Sequence, residues 1–140
     1  MLVEVLGNTV TGILNCRLMS EIQFHDMLHG VCTGRCTGTV FLEANLLQEL
    51  MAMREEILYD IFLDLNKAYD DLDRDRCIYI LAEYGVSLRS IRLFRLYWDR
   101  LTMVAPAGGY YGTPFKGFHG VTHGEPLSPT ILNVVVDEVL

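Results

Sequence analysis

The stretch Ile61-Phe62-Leu63-Asp64-Leu65-Asn66-Lys67-Ala68-Tyr69-Asp70 carries the most information about the fold. Six of the seven residues before Asp64 are apolar: Ile57, Leu58, Tyr59, Ile61, Phe62 and Leu63. Such a run predicts a buried strand over residues 57–65. A carboxylate at the end of a buried strand is costly unless it meets a cation, so Asp64 is a candidate metal ligand. An exposed strand-end aspartate and an N-cap of the next helix are the alternatives.

Two other metal sites are suggested by residue spacing. Asp64-x-Asn66 begins like an EF-hand calcium loop, but Ala68 and Tyr69 stand where a ligand and a glycine are needed, and Asp75 replaces the final glutamate. A second set has the spacing H-x3-H-x2-C-x3-C and comprises His25, His29, Cys32 and Cys36. This spacing supplies four possible zinc ligands, although it lacks paired knuckles.

Length and composition predict one domain or a part of one. The 140 residues are 51% hydrophobic, which is ample for a packed core. Since no run of 18 apolar residues occurs, we expect no membrane-spanning helix and no membrane partner. The start Met1-Leu2-Val3-Glu4 lacks the basic residues of a signal peptide, which predicts an intracellular protein whose four cysteines are free thiols.

Charge is unevenly distributed along the chain. The net charge is −7; residues 1–75 hold 5 basic and 13 acidic side chains, and residues 76–140 hold 6 basic and 5 acidic ones. An acidic chain is a poor match for nucleic acid, which needs a basic surface. Six arginines nevertheless fall within 27 positions: Arg74, Arg76, Arg89, Arg92, Arg95 and Arg100. They form either a local basic surface or a solvated helix face.

Apolar periodicity predicts five helices. The first two cover residues 2–19 and about 38–55, and the second has a strong apolar face. A short helix is expected within residues 68–84, ended by Gly85, and another within 88–101, capped by Ser87. Residues 102–106 and 110–119 predict two strands around a glycine turn, and a final helix opens at Pro126.

A second dense string follows the first by about fifty residues: Gly120-Val121-Thr122-His123-Gly124-Glu125-Pro126-Leu127-Ser128-Pro129. In this order the two strings resemble the reverse transcriptase family, in particular the enzymes of non-LTR retroelements and group II introns. The first looks like the catalytic palm motif, and the second is similar to G-V-x-Q-G-x-P-L-S-P. Upstream, residues 29–39 resemble the fingers motif G-F-R-x-G-R-x-T, and residues 14–18 resemble an early fingers helix.

The resemblance assigns roles to six residues. It implies that Asp64 is the catalytic carboxylate that ligates the metal ions and that Tyr69 lies under the incoming sugar. It implies further that Arg35 contacts the triphosphate. The template and nucleotide site would be lined by Gly120, His123 and Gly124. Three positions depart from the pattern, because Cys32 replaces an arginine, Cys36 a small residue and His123 a glutamine.

The alternation of helices with a few strands predicts an α+β fold. The resemblance implies its form: the fingers and the first part of a right-hand polymerase palm, with helices packed on a small antiparallel sheet. Residues of about 1–56 would form fingers and about 57–140 the palm with finger insertions. The family's next motif, a hairpin with two adjacent aspartates, does not occur after residue 129. The expected fragment is therefore truncated before that hairpin.

The implied function is RNA-directed DNA synthesis. The family transfers a nucleotide from a dNTP to a DNA primer 3′-hydroxyl on an RNA template, with two Mg²⁺ ions. Since this chain supplies one of the metal carboxylates, we expect the fragment alone to be inactive. The alternatives are a non-catalytic nucleic-acid-binding or interaction module derived from a retroelement, and a small α+β protein without a nucleic-acid role.

Overall fold

The computed structural model describes residues 2–140, apart from the side chains of residues 2–4 and Ala107. Five helices dominate these residues: α1 Leu2–Glu21, α2 Thr37–Met53, α3 Arg74–Glu83, α4 Leu88–Arg100 and α5 Leu127–Asp137. Two strands, β1 Pro106–Ala107 and β2 Tyr110–Tyr111, form a two-residue antiparallel ladder. Along the described chain, no helix has both the length and the apolar content needed to span a bilayer.

The predicted α+β architecture is wrong. The described residues are mostly helical, and no sheet lies under the helices. Residues 57–65, the predicted buried strand, are extended and exposed, and their backbone makes no hydrogen bond to other backbone groups. A strand is stable only when a neighbour satisfies its N–H and C=O groups, and no neighbouring strand exists within the described residues.

The predicted hairpin forms only in part. Strands were expected over residues 102–106 and 110–119, but pairing is confined to β1 with β2 and one bridge between Met103 and Phe115. Gly108 and Gly109 make the turn with positive φ angles of 59° and 84°. These angles fit the glycine-rich turn that the sequence indicated.

The core lies among four helices. Helix α1 packs on α4 and α5, and α3 also packs on α4 and α5, so the four helices close a ring. The side chains that fill the ring include the fully buried Leu18, Phe94, Ile131 and Val134. Apolar residues at helical spacing supply this interior, as the sequence periodicity predicted.

Local sequence explains the junction between α3 and α4. Gly85, with φ +77°, follows the C-cap Tyr84, and the N–H of Val86 donates to the Leu81 carbonyl at 3.0 Å. This is a Schellman ending, in which glycine adopts the left-handed conformation without steric cost. Ser87 then caps α4 by accepting from the Ser90 N–H at 3.3 Å. Both predicted helix boundaries are confirmed.

Two carboxylates join the helices across the ring. Glu21, at the end of α1, accepts from the Ser87 N–H at 2.6 Å and from the Ser90 hydroxyl at 2.6 Å. These hydrogen bonds lower the pKa of Glu21. Asp137, at the end of α5, accepts from the His25 N–H at 2.7 Å and from the Tyr84 hydroxyl. The partners of Glu21 and of Asp137 are distant in the sequence. These hydrogen bonds therefore fix the positions of the two helix ends relative to the rest of the core.

Helix α2 stands apart from this core. It forms as predicted, but none of its residues is buried, and within the described chain it packs on no other helix or strand. Its exposed side chains include Phe41 at 73% and Met53 at 84%. Residues 37–65, which comprise α2, a turn and the extended segment, are called the arm below. Inside the arm, the Gln48 amide donates to the Asp60 carboxylate at 3.3 Å.

We expect Phe94→Ala to destabilise the protein by about 3–5 kcal/mol, because it removes a fully buried ring from the centre of the helical ring. Urea unfolding followed by circular dichroism would measure the loss. Leu96→Ala on the same helix is the matched control, since Leu96 is 53% exposed. Equal losses for the two variants would contradict the placement of the core.

We expect the contribution of Glu21 to stability to fade in acid. Because the folded state lowers its pKa, the folded protein binds this proton less readily than the unfolded chain does. The contribution is therefore complete above the unfolded pKa and is lost as pH falls through the folded one. The difference in unfolding free energy between the wild type and Glu21→Gln should shrink as pH is lowered from neutral. A difference that does not depend on pH would rule out this role.

Candidate functional site

The loop before α5 packs on the turn that follows the extended segment. The N–H of Val121 donates to the Tyr69 carbonyl at 2.8 Å, and the N–H of Gly120 donates to the Leu72 carbonyl at 2.8 Å. The turn itself closes through the Asp70 N–H, which donates to the Lys67 carbonyl at 2.9 Å. The second string therefore meets the end of the first string and the residues just after it through two backbone hydrogen bonds.

Gly120 is required at this junction. A Cβ atom there would lie 2.6 Å from the Asp70 carbonyl oxygen and 2.8 Å from that of Tyr69, both of them backbone atoms. Its φ of +75° also disfavours any other residue. The close packing of the two strings explains why glycine stands at position 120, and this explanation requires no ligand.

Side chains from the two strings line an open cleft. The ring centroids of Tyr69 and His123 lie 5.1 Å apart at a tilt of 52°, and the His123 Nε2 lies 3.3 Å from an Asp70 carboxylate oxygen. Together with Gly124, Glu125 and the residues that open α5, Tyr69 and His123 line a cavity of about 420 Å³. The cleft offers an aromatic surface with the carboxylate residue Glu125 in its lining, and both Asp70 and His123 are exposed to solvent.

A buried arginine holds this loop in place. The Arg74 guanidinium donates through Nε to the Gly120 carbonyl at 2.7 Å and through Nη1 to the Gly117 carbonyl at 2.7 Å. A longer bond of 3.4 Å reaches the His119 carbonyl. Burial lowers the pKa of Arg74, yet the carbonyl oxygens compensate its charge in part. Nothing in the sequence distinguishes Arg74 from the five arginines that follow it.

The far side of the loop is fixed by two hydroxyl groups. Tyr97 on α4 donates its hydroxyl to the Glu125 carboxylate, and burial raises the pKa of Tyr97. Ser128 donates its hydroxyl to the Thr122 carbonyl at 2.7 Å. With Arg74, these contacts tie residues 117–128 to α3, α4 and α5, so the cleft is set by the helical core.

Asp64 lies outside this cleft. It is exposed on the extended segment, where its neighbours Phe62 and Leu63 are 92% and 89% exposed. The described residues contain no group of three or more histidine, cysteine, aspartate or glutamate side chains placed to hold a metal ion. Asp64 therefore belongs to no such group among the described residues, and it supplies a single carboxylate.

Arg35 also lies away from the cleft lining. Its guanidinium donates to the His25 carbonyl at 2.6 Å, to the Leu28 carbonyl at 2.9 Å and to the Asp26 carboxylate at 2.6 Å. These bonds close the loop between α1 and α2. Arg35 has a structural role in this arrangement, and a triphosphate would have to compete with its present partners.

The four residues with zinc-like spacing have other contacts. His29 pairs through Nδ1 with the Thr39 hydroxyl at 2.8 Å, and its Nε2 lies 3.5 Å from Glu43. The His25 Nδ1 accepts from the Met27 N–H at 3.2 Å. Neither Cys32 nor Cys36 is paired in a disulfide; Cys32 is half-buried and Cys36 is exposed.

Comparison with protein-family models, with curated proteins and with solved structures returned no match for this chain.

The junction gives a direct test of how the two strings are held together. Gly120→Ala should cost about 3 kcal/mol of stability, because it adds a backbone clash to the strain of a positive φ. Gly124→Ala is the matched control. Its φ is +87° but a Cβ there meets nothing within 4 Å, so it should cost about 1 kcal/mol. Urea unfolding measures both, and a Gly124 variant as unstable as the Gly120 variant would contradict the close approach.

Proposed function

We propose that this chain is part of a reverse transcriptase, an RNA-directed DNA polymerase of the non-LTR retroelement or group II intron type. The full enzyme would transfer a nucleotide from a dNTP to the 3′-hydroxyl of a DNA primer on an RNA template. The proposal places the protein inside the cell, where primer, template and dNTP are found.

The observation that carries this proposal is the junction between the two strings. Tyr69 from the first string and His123 from the second line one cleft, although fifty-four positions separate them in the sequence. The resemblance assigns the sugar to the first and the template and nucleotide to the second. An aromatic surface of this kind suits a sugar or base, because either packs on a flat apolar ring.

In this proposal Asp64 belongs to a metal site that is completed by a carboxylate from outside these 140 residues. The full site would hold Mg²⁺, whose chemistry is to polarise the phosphate and activate the attacking hydroxyl. Within this chain, Tyr69 and His123 would orient the nucleotide and Arg35 would contact its triphosphate. Since one carboxylate cannot fix two ions, the isolated chain should not extend a primer.

The second candidate is a non-catalytic nucleic-acid-binding module. It is favoured by the exposed position of Asp64, which leaves this carboxylate without other acidic groups to form a metal site in the described chain. In this reading the cleft and the arginine-rich region of α3 and α4 bind nucleic acid, and no nucleotidyl transfer follows.

A chimera distinguishes the two candidates. Residues 1–140 would replace the matching region of an active reverse transcriptase of the non-LTR type, which supplies the Asp-Asp hairpin. We expect primer extension on an RNA template, and Asp64→Asn should reduce its rate by about 10³-fold or more, since charge stabilisation supplies most of this catalysis.

Asp60→Asn is the control for that chimera, because Asp60 lies on the same exposed segment four residues earlier. It should extend primers nearly as fast as the unmodified chimera. A folded chimera that binds an RNA–DNA hybrid without extending it would support the non-catalytic module. Equal effects of the two substitutions would remove Asp64 from the proposed metal site.

A further inference from the structure

A second cavity, of about 310 Å³, lies where the start of α3, the second half of α4 and residues 116–119 meet. It shares no lining residue with the cleft that contains Tyr69 and His123. Apolar side chains form part of its wall: Ile78 and Trp98 are buried, and Phe118 is 80% exposed. Small-molecule sites in proteins have volumes of about 300–1,000 Å³, so this cavity has the size for a small ligand.

The wall of this cavity contains a buried cation that has no carboxylate partner. Arg74 is 8% exposed, and none of the ion pairs in the described chain involves it. Its guanidinium has five N–H groups and donates three of them, all to neutral carbonyl groups. Burying a charge is costly unless an opposite charge compensates it, and burial lowers the pKa of Arg74. Two N–H groups therefore remain for an acceptor that the described residues do not supply.

Two more cationic side chains line the same cavity. Arg95 lies on α4 and Lys116 lies on the loop before α5, and neither forms an ion pair with another described residue. With Arg74 from α3, three cations from three separate elements border one space. The flat fork of a guanidinium matches the oxygen atoms of a carboxylate or a phosphate. This combination of side chains suits the binding of an anionic group.

The acidic residues of the lining do not compensate the buried charge. Asp73 is the N-cap of α3, and one of its carboxylate oxygens accepts from the N–H groups of Asp75 and Arg76 at 2.9 and 3.1 Å. Asp75 and Asp99 also line the cavity, but they are exposed, and water and salt screen their charges. Among the charged residues of this lining, Arg74 alone is buried. The charge that needs a partner is therefore positive.

We propose that this cavity binds a small organic anion whose charged group, a carboxylate or a phosphate, is held by Arg74, Arg95 and Lys116. The apolar part of the ligand packs on Trp98 and Phe118, since aromatic side chains favour flat apolar partners. The anion supplies the acceptor that Arg74 lacks within the described chain. This site does not depend on the polymerase function, because it rests only on the cavity and on the charges that line it.

Tryptophan fluorescence tests the site directly, because Trp98 is the single tryptophan of the chain and lies in the cavity wall. Phenyl phosphate and benzoate are the probes, and each should change the emission in a saturable way, with half-saturation at or below about 1 mM for the tighter of the two. The tighter probe identifies the preferred anionic group. Inorganic phosphate and benzyl alcohol each lack one part of the ligand, and both should bind at least about tenfold more weakly.

Substitutions of exposed charges test which side chains hold the anion. Arg95→Gln and Lys116→Gln should each weaken binding about fivefold or more, because each removes a charge-assisted contact. Arg89→Gln is the matched control, since it makes the same charge change on α4 outside the cavity lining, and it should have little effect. Asp99→Asn removes a negative charge that acts on Arg74 and should tighten binding about twofold or more. Circular dichroism should show unchanged helix content in all four variants, because the substituted side chains are exposed.

Four outcomes would overturn the proposal. The first is emission that stays unchanged, or changes without saturation, with up to about 10 mM of either probe. The second is equal weakening by Arg95→Gln and Arg89→Gln, which would indicate diffuse attraction of anions to α4. The third is benzyl alcohol binding as tightly as the anionic probes, which would make the cavity a purely apolar one. The fourth is inorganic phosphate binding as tightly as phenyl phosphate, which would remove the organic part of the ligand.

Discussion

The buried guanidinium of Arg74 is the contact on which the candidate site depends. It lies at the start of α3 and donates to carbonyl groups at Gly117, His119 and Gly120, so it holds the loop before α5 against the helical core. Without that anchor, the loop would be held only by the backbone hydrogen bonds of Gly120 and Val121 and by the hydroxyl contacts of Tyr97 and Ser128. Because one cation binds three carbonyl groups at once, the position of the loop depends on the position of α3.

The geometry of the cleft depends on the same anchored loop. Tyr69 is half-buried beside the core, and His123 lies over it from the anchored loop. The geometry of the aromatic pair is therefore a result of helix packing. A cleft built in this way is pre-formed, which lowers the entropic cost of ordering side chains around a flat ligand. That property suits a nucleotide, as the proposed function requires.

A different constraint applies to the arm: the backbone N–H and C=O groups of a strand need hydrogen-bond partners on a neighbouring strand. Its extended segment has the composition of a buried strand but no adjacent strand in the described chain, so its apolar side chains stay in water. The acidic Asp64 lies on this segment, which separates it from the cleft that carries Tyr69. The metal site of the proposed function would require a second carboxylate from further sequence.

The sequence by itself determined the positions of the helices but not those of the strands. Periodicity located all five helices, and Gly85 and Ser87 marked the boundary between α3 and α4, because capping depends on residues close in the chain. It also singled out the two strings that meet at Gly120. In the structure, the Val121 N–H of the second string donates to the Tyr69 carbonyl of the first.

Tertiary structure alone decided which apolar segments are buried and which arginine anchors the loop. The apolar face of α2 and the run before Asp64 both look like core in the sequence, yet both lie in water because no described element covers them. The sequence contains six similar arginines in this region. Only the packing of the helices shows that Arg74 is buried and that it donates to backbone carbonyl groups. Burial and strand pairing depend on residues that are distant in the chain, and local sequence patterns do not show where those residues lie in space.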